Sequence, residues 1–132
     1  MRRLLDTTVF VDVLRGDEAV RERLLAERPS SLAYSAMTRA ELLTGVALAD
    51  DPQAELLRVE RLLAPIASLP FDDRCADVLG PIRAILQRLG APIGIGDLVI
   101  AATALASGLV LVTSNTREFG RIHGLAVEDW RG

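Results

Sequence analysis

Three acidic residues stand apart from the other charged positions of the sequence, Asp6, Glu41 and Asp97. Asp97 is the only charged residue from Leu89 to Thr116. A carboxylate inside so long an uncharged stretch is costly unless something compensates it. Asp6 closes the short apolar run Arg3-Leu4-Leu5, and Glu41 lies inside a helical pattern over 37–49 with no basic residue at i+3 or i+4. Each has a plain structural alternative. Asp6 and Asp97 can cap helices, and Glu41 can face solvent on an amphipathic helix. If the three converge, a divalent cation must relieve their repulsion. Oxygen-only ligation points to Mg²⁺ or Mn²⁺, which favour carboxylates together with phosphate oxygens.

The elements that would bring them together follow from the apolar pattern. Arg3–Leu5 reads as a strand, followed by a helix from Thr7-Thr8 that Gly16 ends. A second helix runs from Asp17 to about Glu27, and Ser31–Ser35 reads as a strand. Thr38 starts a third helix with Leu42, Leu43, Val46 and Leu48 apolar, and Ala54–Leu63 form a fourth. Ile66–Leu69 is a brief strand, and Asp72-Asp73 open a long helix to Leu89, bent at Gly80-Pro81. Leu98–Ala106 is a helix apolar all round, with Asp97 at its start. Leu109–Val112 is a strand covered on both faces. Phe119 and Ile122 mark one more helical turn and Leu125–Val127 a last strand. Short strands alternating with helices predict an α/β protein, a three-layer α/β/α domain with a mainly parallel sheet, occupying 1–132 as a single domain. Ligand sites of such sheets gather beyond the carboxyl ends of the strands, where Asp6 and the Thr113-Ser114-Asn115 turn both fall.

Composition removes competing chemistries. All 15 basic residues are arginine, against 18 acids, for a formal charge of −3. Without lysine there is no Schiff base, no Walker-A phosphate clamp and no phosphotransfer receiver of the usual type. The single Cys75 permits no internal disulfide, and the single His123 builds neither a histidine metal site nor a Ser-His-Asp triad. The longest uncharged apolar run, 98–112, is too short for a bilayer span, so a soluble, cytoplasmic protein is expected.

Four segments, in order, resemble the PIN-domain ribonucleases, and among them the VapC-type toxins of toxin–antitoxin pairs. They are Leu4-Leu5-Asp6-Thr7, Thr38-Arg39-Ala40-Glu41-Leu42, Gly96-Asp97-Leu98 continuing to Ala104, and Leu111-Val112-Thr113-Ser114-Asn115-Thr116-Arg117-Glu118-Phe119. The resemblance spans 3–130. It implies a PIN-like fold and Mg²⁺-dependent cleavage of RNA phosphodiesters, with Mn²⁺ able to substitute, and it carries the metal-ligating roles onto Asp6, Glu41 and Asp97. The family's further acid, usually two residues after the threonine, is here Asn115, and Glu118 is the nearest acid that could replace it. Thr7 and Ser114 become second-sphere or phosphate contacts. With neither lysine nor a suitable histidine, transition-state charge beyond the metal's falls to arginine or backbone N–H groups, with Arg39 and Arg117 the candidates. Water attack directed by a metal leaves a 5′-phosphate and a 3′-hydroxyl. The resemblance also implies a cognate antitoxin, a homodimer and a toxin–antitoxin hetero-oligomer, with the helices at 17–27 and 54–63 as contact surfaces. The alternative is a PIN module inactivated at Asn115 that serves as a binding or regulatory partner.

Overall fold

Alternating apolar side chains build the sheet from its centre outward. The computed structural model describes residues 1–131. Its strands are β1 (Arg3–Leu5), β2 (Leu32–Ser35), β3 (Ala67–Leu69), β4 (Val110–Val112) and β5 (Val127–Glu128). They form one five-stranded sheet in the order β3-β2-β1-β4-β5, and every pairing is parallel. Leu4, Ala33 and Leu111 point to one face, and Leu5, Leu32, Tyr34 and Val112 point to the other. That alternation follows from the two-residue period of a strand, and both faces are apolar because helices cover both.

The helices are α1 (Thr7–Leu14), α2 (Glu18–Ala26), α3 (Ala36–Ala47), α4 (Pro52–Leu63), α5 (Asp73–Arg88), α6 (Ile95–Ala106) and α7 (Thr116–Phe119). The layer of α1 to α4 buries Phe10, Val13, Val20, Val46, Val59 and Leu63 against the face of Leu5, Leu32, Tyr34 and Val112. The layer of α5 to α7 buries Leu86, Leu98, Ile100, Ala101, Ala104 and Phe119 against the face of Leu4, Ala33 and Leu111. Phe10 is fully buried and meets Tyr34 edge-on, with ring centroids 6.1 Å apart. The three-layer α/β/α expectation therefore describes the molecule, with a sheet that is parallel throughout.

Local boundaries differ from the sequence reading in informative places. Ser31 lies in a 3-10 turn (Pro29–Ser31) that hands the chain to β2. α3 begins at Ala36, two residues before Thr38, because the Ser35 hydroxyl accepts the Met37 and Thr38 amides at 3.0 and 3.3 Å. Leu48, read as an apolar position of that helix, lies past its end and is 81% exposed. α5 runs through Pro81 as one helix. The last strand starts at Val127, where it pairs with Leu111, and not at Leu125.

Phe10 fills the space between β1, β2 and α1, so its removal tests this half of the core. Phe10→Ala lowers stability by about 3–5 kcal/mol. The loss is read as a lower urea midpoint at unchanged m-value.

Candidate active site

β1 is the central strand, flanked by β2 on one side and β4 on the other. The chain leaves β1 toward one edge and returns to build the other, which makes the carboxyl end of β1 the switch point of the sheet. Asp6 is the residue at that end. It is only 2% exposed, and its backbone amide continues the ladder to the Val112 carbonyl at 2.8 Å.

A buried carboxylate needs donors. Two threonine hydroxyls supply them, Thr113 at 2.7 Å and Thr8 at 3.0 Å, and both donate to Oδ2. Each hydroxyl in turn accepts a backbone amide of the turn after β4. Thr113 Oγ1 accepts from Asn115 at 3.0 Å and Thr8 Oγ1 from Ser114 at 3.2 Å. The Asp6 side chain occupies the cap position of α1 yet makes no capping bond. Both hydroxyls engage Oδ2, and Asp6 lines the neighbouring cavity. Burial still outweighs the hydroxyl donors and holds the Asp6 pKa above the ordinary carboxylate range.

Glu41 faces inward from α3 and is part-buried. Its Oε1 accepts from the Thr7 hydroxyl at 2.7 Å, and the buried Thr38 Oγ1 stands 3.1 Å from Thr7 Oγ1. Gly96 permits the close approach of α6 to this side chain, since a Cβ there would sit 3.4 Å from Glu41 Oε2. Asp97 is the third residue of α6, and Gly94 holds the cap position, so Asp97 is not the helix cap. Its acid is pushed up to about 7, first by burial, then by the charges of Asp6 and Glu118, by a side-chain hydrogen bond with Glu118 and by the charge of Glu41. Glu118 reaches this cluster from the first turn of α7, steered by the Asn115 amide, which donates to its Oε2 at 3.0 Å.

Asp6, Glu41 and Asp97 thus line one cavity of about 270 Å³ together with Thr7, Thr8, Val11, Asp12, Arg15 and Arg131. Asn115 and Glu118 adjoin it through Asp97. Arg117 is exposed on α7 and makes no ion pair among the described residues. The structure does not bring Arg39 to this cavity. Its guanidinium is committed to Glu60 on α4 at 2.8 Å, which raises its pKa, with the Tyr34 side chain as a further partner. Ser114 contributes its backbone amide to the Asp6 support. Thr8, Thr113 and Thr38, read from the sequence as helix openers or a strand-end turn, carry a hydroxyl network that the sequence did not reveal. Arg131, also unforeseen, grips the buried Asp12 with two bonds of 2.9 and 2.7 Å at the cavity rim.

A sheet of this order with acids at its switch point is the PIN-like α/β/α fold. The PIN-domain family profile matches residues 3–125, and the chain belongs to that family. It is 37% identical over 131 residues to the tRNA(fMet)-specific endonuclease VapC of Shigella flexneri, covering 98% of each chain. It is 30% identical over 130 residues to ribonuclease VapC2 of Haemophilus influenzae, again covering 98% of each. The crystal structure of DNA-bound VapBC from Salmonella typhimurium superposes with a TM-score of 0.91 at 37% identity, covering 98% of both chains. Within the family the chain therefore groups with the VapC ribonucleases.

Two predictions follow the two hydrogen-bonded acids. Thr113→Val removes one donor to Asp6 and orphans the Asn115 amide, costing about 1–3 kcal/mol of stability, whereas Thr113→Ser retains most of it. Asp97 has a higher pKa folded than unfolded, so its stabilising contribution is complete below its ordinary value of 3.8 and is lost as pH rises through about 7. In metal-free buffer, Asp97→Asn therefore gains more stability at pH 8 than at pH 5, by on the order of 1–2 kcal/mol. Equal urea midpoint shifts at the two pH values would contradict the assignment.

Proposed function

We propose that this chain, as one PIN-like domain, is a Mg²⁺-dependent endoribonuclease and the toxin of a toxin–antitoxin pair, held inactive by a cognate antitoxin. The observation that carries the reading is the meeting of Asp6, Glu41 and Asp97 on one cavity with Glu118 hydrogen-bonded to Asp97. VapC relatives are named as endonucleases or ribonucleases, and the Salmonella typhimurium neighbour is a VapBC complex bound to DNA. PIN-domain nucleases in general depend on a divalent metal.

The donor set fits a hard cation. It is oxygen only, burial and then the neighbouring carboxylates raise the Asp97 acid, and the hydroxyl pair engages only Oδ2 of Asp6. Among the described residues no three His, Cys, Asp or Glu side chains are already arranged to close on an ion. Glu41 accepts from Thr7 through Oε1 only, and Glu118 accepts from the Asn115 side chain through Oε2. Asp6, Glu41 and Asp97 would hold Mg²⁺, or Mn²⁺ in its place. Asn115 and Glu118 complete the acidic side, and Glu118 supplies the charge that Asn115 lacks. When bound, the ion supplies polarisation of a phosphodiester oxygen and a lowered pKa for a coordinated water.

The chain's own side chains do the remaining work. Thr8 and Thr113 fix the Asp6 carboxylate, and Thr7 fixes the Glu41 carboxylate, so both keep their orientation without substrate. Asp97, its acid pushed up to about 7 first by burial and then by the neighbouring acids, lies beside Glu118 and faces the same cavity as Asp6 and Glu41. Ser114 lies on the β4–α7 turn and Arg117 in α7, where they would hold a phosphate of the RNA, and Arg117 has no competing ion pair among the described residues. Arg39 braces α3 against α4 through Glu60 and takes no phosphate in this reading. Cleavage leaves a 5′-phosphate. A cytoplasmic location, a homodimer and a hetero-oligomer with the antitoxin complete the proposal. No helix among the described residues is long and apolar enough to cross a membrane.

Purified protein incubated with Mg²⁺ and total RNA yields discrete fragments, and EDTA abolishes them. Asp97→Asn and Glu118→Gln each lose more activity than the roughly 10–100-fold typical of an outer-sphere change, which is the loss expected for Thr113→Val. Undiminished cleavage by Asp97→Asn, or none by the wild type with either metal, would remove the enzyme reading in favour of a binding module.

A further inference from the structure

Arginine is the only side chain of this protein that can grip phosphate with a fixed cation, so the state of each arginine near the carboxylates is informative. Arg131 is held in a two-bond clasp by Asp12, Arg39 by Glu60, and Arg58 by Glu55 at 3.1 Å and the Leu14 carbonyl at 2.6 Å. Arg15 differs from all three. It is exposed, it has no side-chain hydrogen bond or ion pair among the described residues, and it lines the same cavity as Asp6, Glu41 and Asp97. Arg15 caps the C-terminal end of α1, whose first turn carries Thr7 and Thr8. Asp6 and Arg15 lie about 13 Å apart along that helix, and helical side chains lean back toward the N-terminus. Arg15 therefore leans toward the carboxylates while its guanidinium stands clear of them.

The same side chain also borders a second cavity, of about 300 Å³, between α1, α3 and α4. Thr7, Val11, Arg15 and Glu41 line both cavities, so the two join into one groove, with Leu42, Val46 and Val59 on its apolar wall. We propose that Arg15 is a substrate-positioning residue that takes, through a bidentate fork, an RNA phosphate flanking the scissile one, on the side where the strand leaves toward this second cavity. The nearby carboxylates are already held by hydroxyls or by each other, and they leave the five N–H donors of Arg15 for an incoming anion. The inference rests on the ribonuclease reading above.

The test uses fluorescently labelled, unfractionated transfer RNA, with Ca²⁺ in place of Mg²⁺ for binding and Mg²⁺ for initial rates. Arg15→Gln is expected to raise Kd and KM roughly tenfold while kcat stays within about twofold. The slope of log affinity against log salt falls by about 0.7, the value for one phosphate contact on a single strand. Arg15→Lys keeps that slope and recovers only part of the affinity, since an ammonium lacks the fork. Arg88→Gln, on the exposed end of α5, controls for the loss of one positive charge. Unchanged Kd and slope in a wild-type-like, folded Arg15→Gln protein would overturn the proposal. So would a loss no larger than that of Arg88→Gln, or a fall in kcat alone. If Arg15→Gln melts early, the Arg15→Lys comparison decides, because wild-type affinity there excludes a fork. Wild-type protein that neither binds nor cleaves the RNA would instead refute the ribonuclease reading.

Discussion

The arrangement depends on one oxygen, Asp6 Oδ2, and the two threonine hydroxyls that donate to it. One hydroxyl belongs to the turn leaving β1 and the other to the turn leaving β4. Satisfying the buried carboxylate therefore ties together the two central parallel strands at their carboxyl ends. Because each hydroxyl is also an acceptor for an amide of the 113–115 turn, the same bonds shape the segment that delivers Asn115 and Glu118. Removing the carboxylate would leave two hydroxyls short of an acceptor, and moving the turn would leave the carboxylate short of donors. Support and chemistry share the same atoms.

Much of this was legible in the chain because the fold is locally consistent. Short apolar runs at Leu4-Leu5 and Leu109–Val112, the all-apolar α6 and the acids that open α2 and α5 pointed to three layers with a parallel sheet, but not to the order of its strands. The acids were legible through cost. Asp97 in an uncharged stretch and Glu41 without a local cation stood out, although a cap and a solvent-facing position were each a local explanation for one of them. What could not be read is what depends on distance along the chain. Arg131 and Asp12 are separated by 119 positions, Thr113 and Asp6 by 107, and no local pattern predicts either contact. Arg39 illustrates the same limit from the other side. Its place inside a motif beside Glu41 pointed to the site, but residues two apart on a helix face different sides, and Glu60 waits on that other side on α4.

Charge has a similar two-level reading. The formal excess of acid suggested weak attraction for RNA, yet much of the acid is spent internally. Glu27 and Glu128 bind Arg3 and Arg23, Asp12 binds Arg131, and the Trp130 indole donates to Glu128 while Arg23 stacks over its ring. These networks tie the two ends of the described chain to α1 and α2. They also occupy Arg3, Arg23 and Arg131, three arginines that a simple count would leave free for an anion. The side chains bordering the carboxylate cavity therefore say more about anion contacts than the net charge does.

The parallel order of the sheet has a consequence in time as well as in space. β1 lies at the centre of the sheet, but its neighbour β4 arrives more than a hundred positions later in the chain. During synthesis the first strand must wait, with one edge open, until nearly the whole polypeptide has been made. Asp6 cannot gain the Thr113 hydroxyl, nor Asp97 its partner on α7, before that moment. A nascent chain of this protein thus lacks the Thr113 support of Asp6 and the meeting of Asp97 with Glu118 for most of its own translation. Both form only after the last third of the molecule has packed against the first strand.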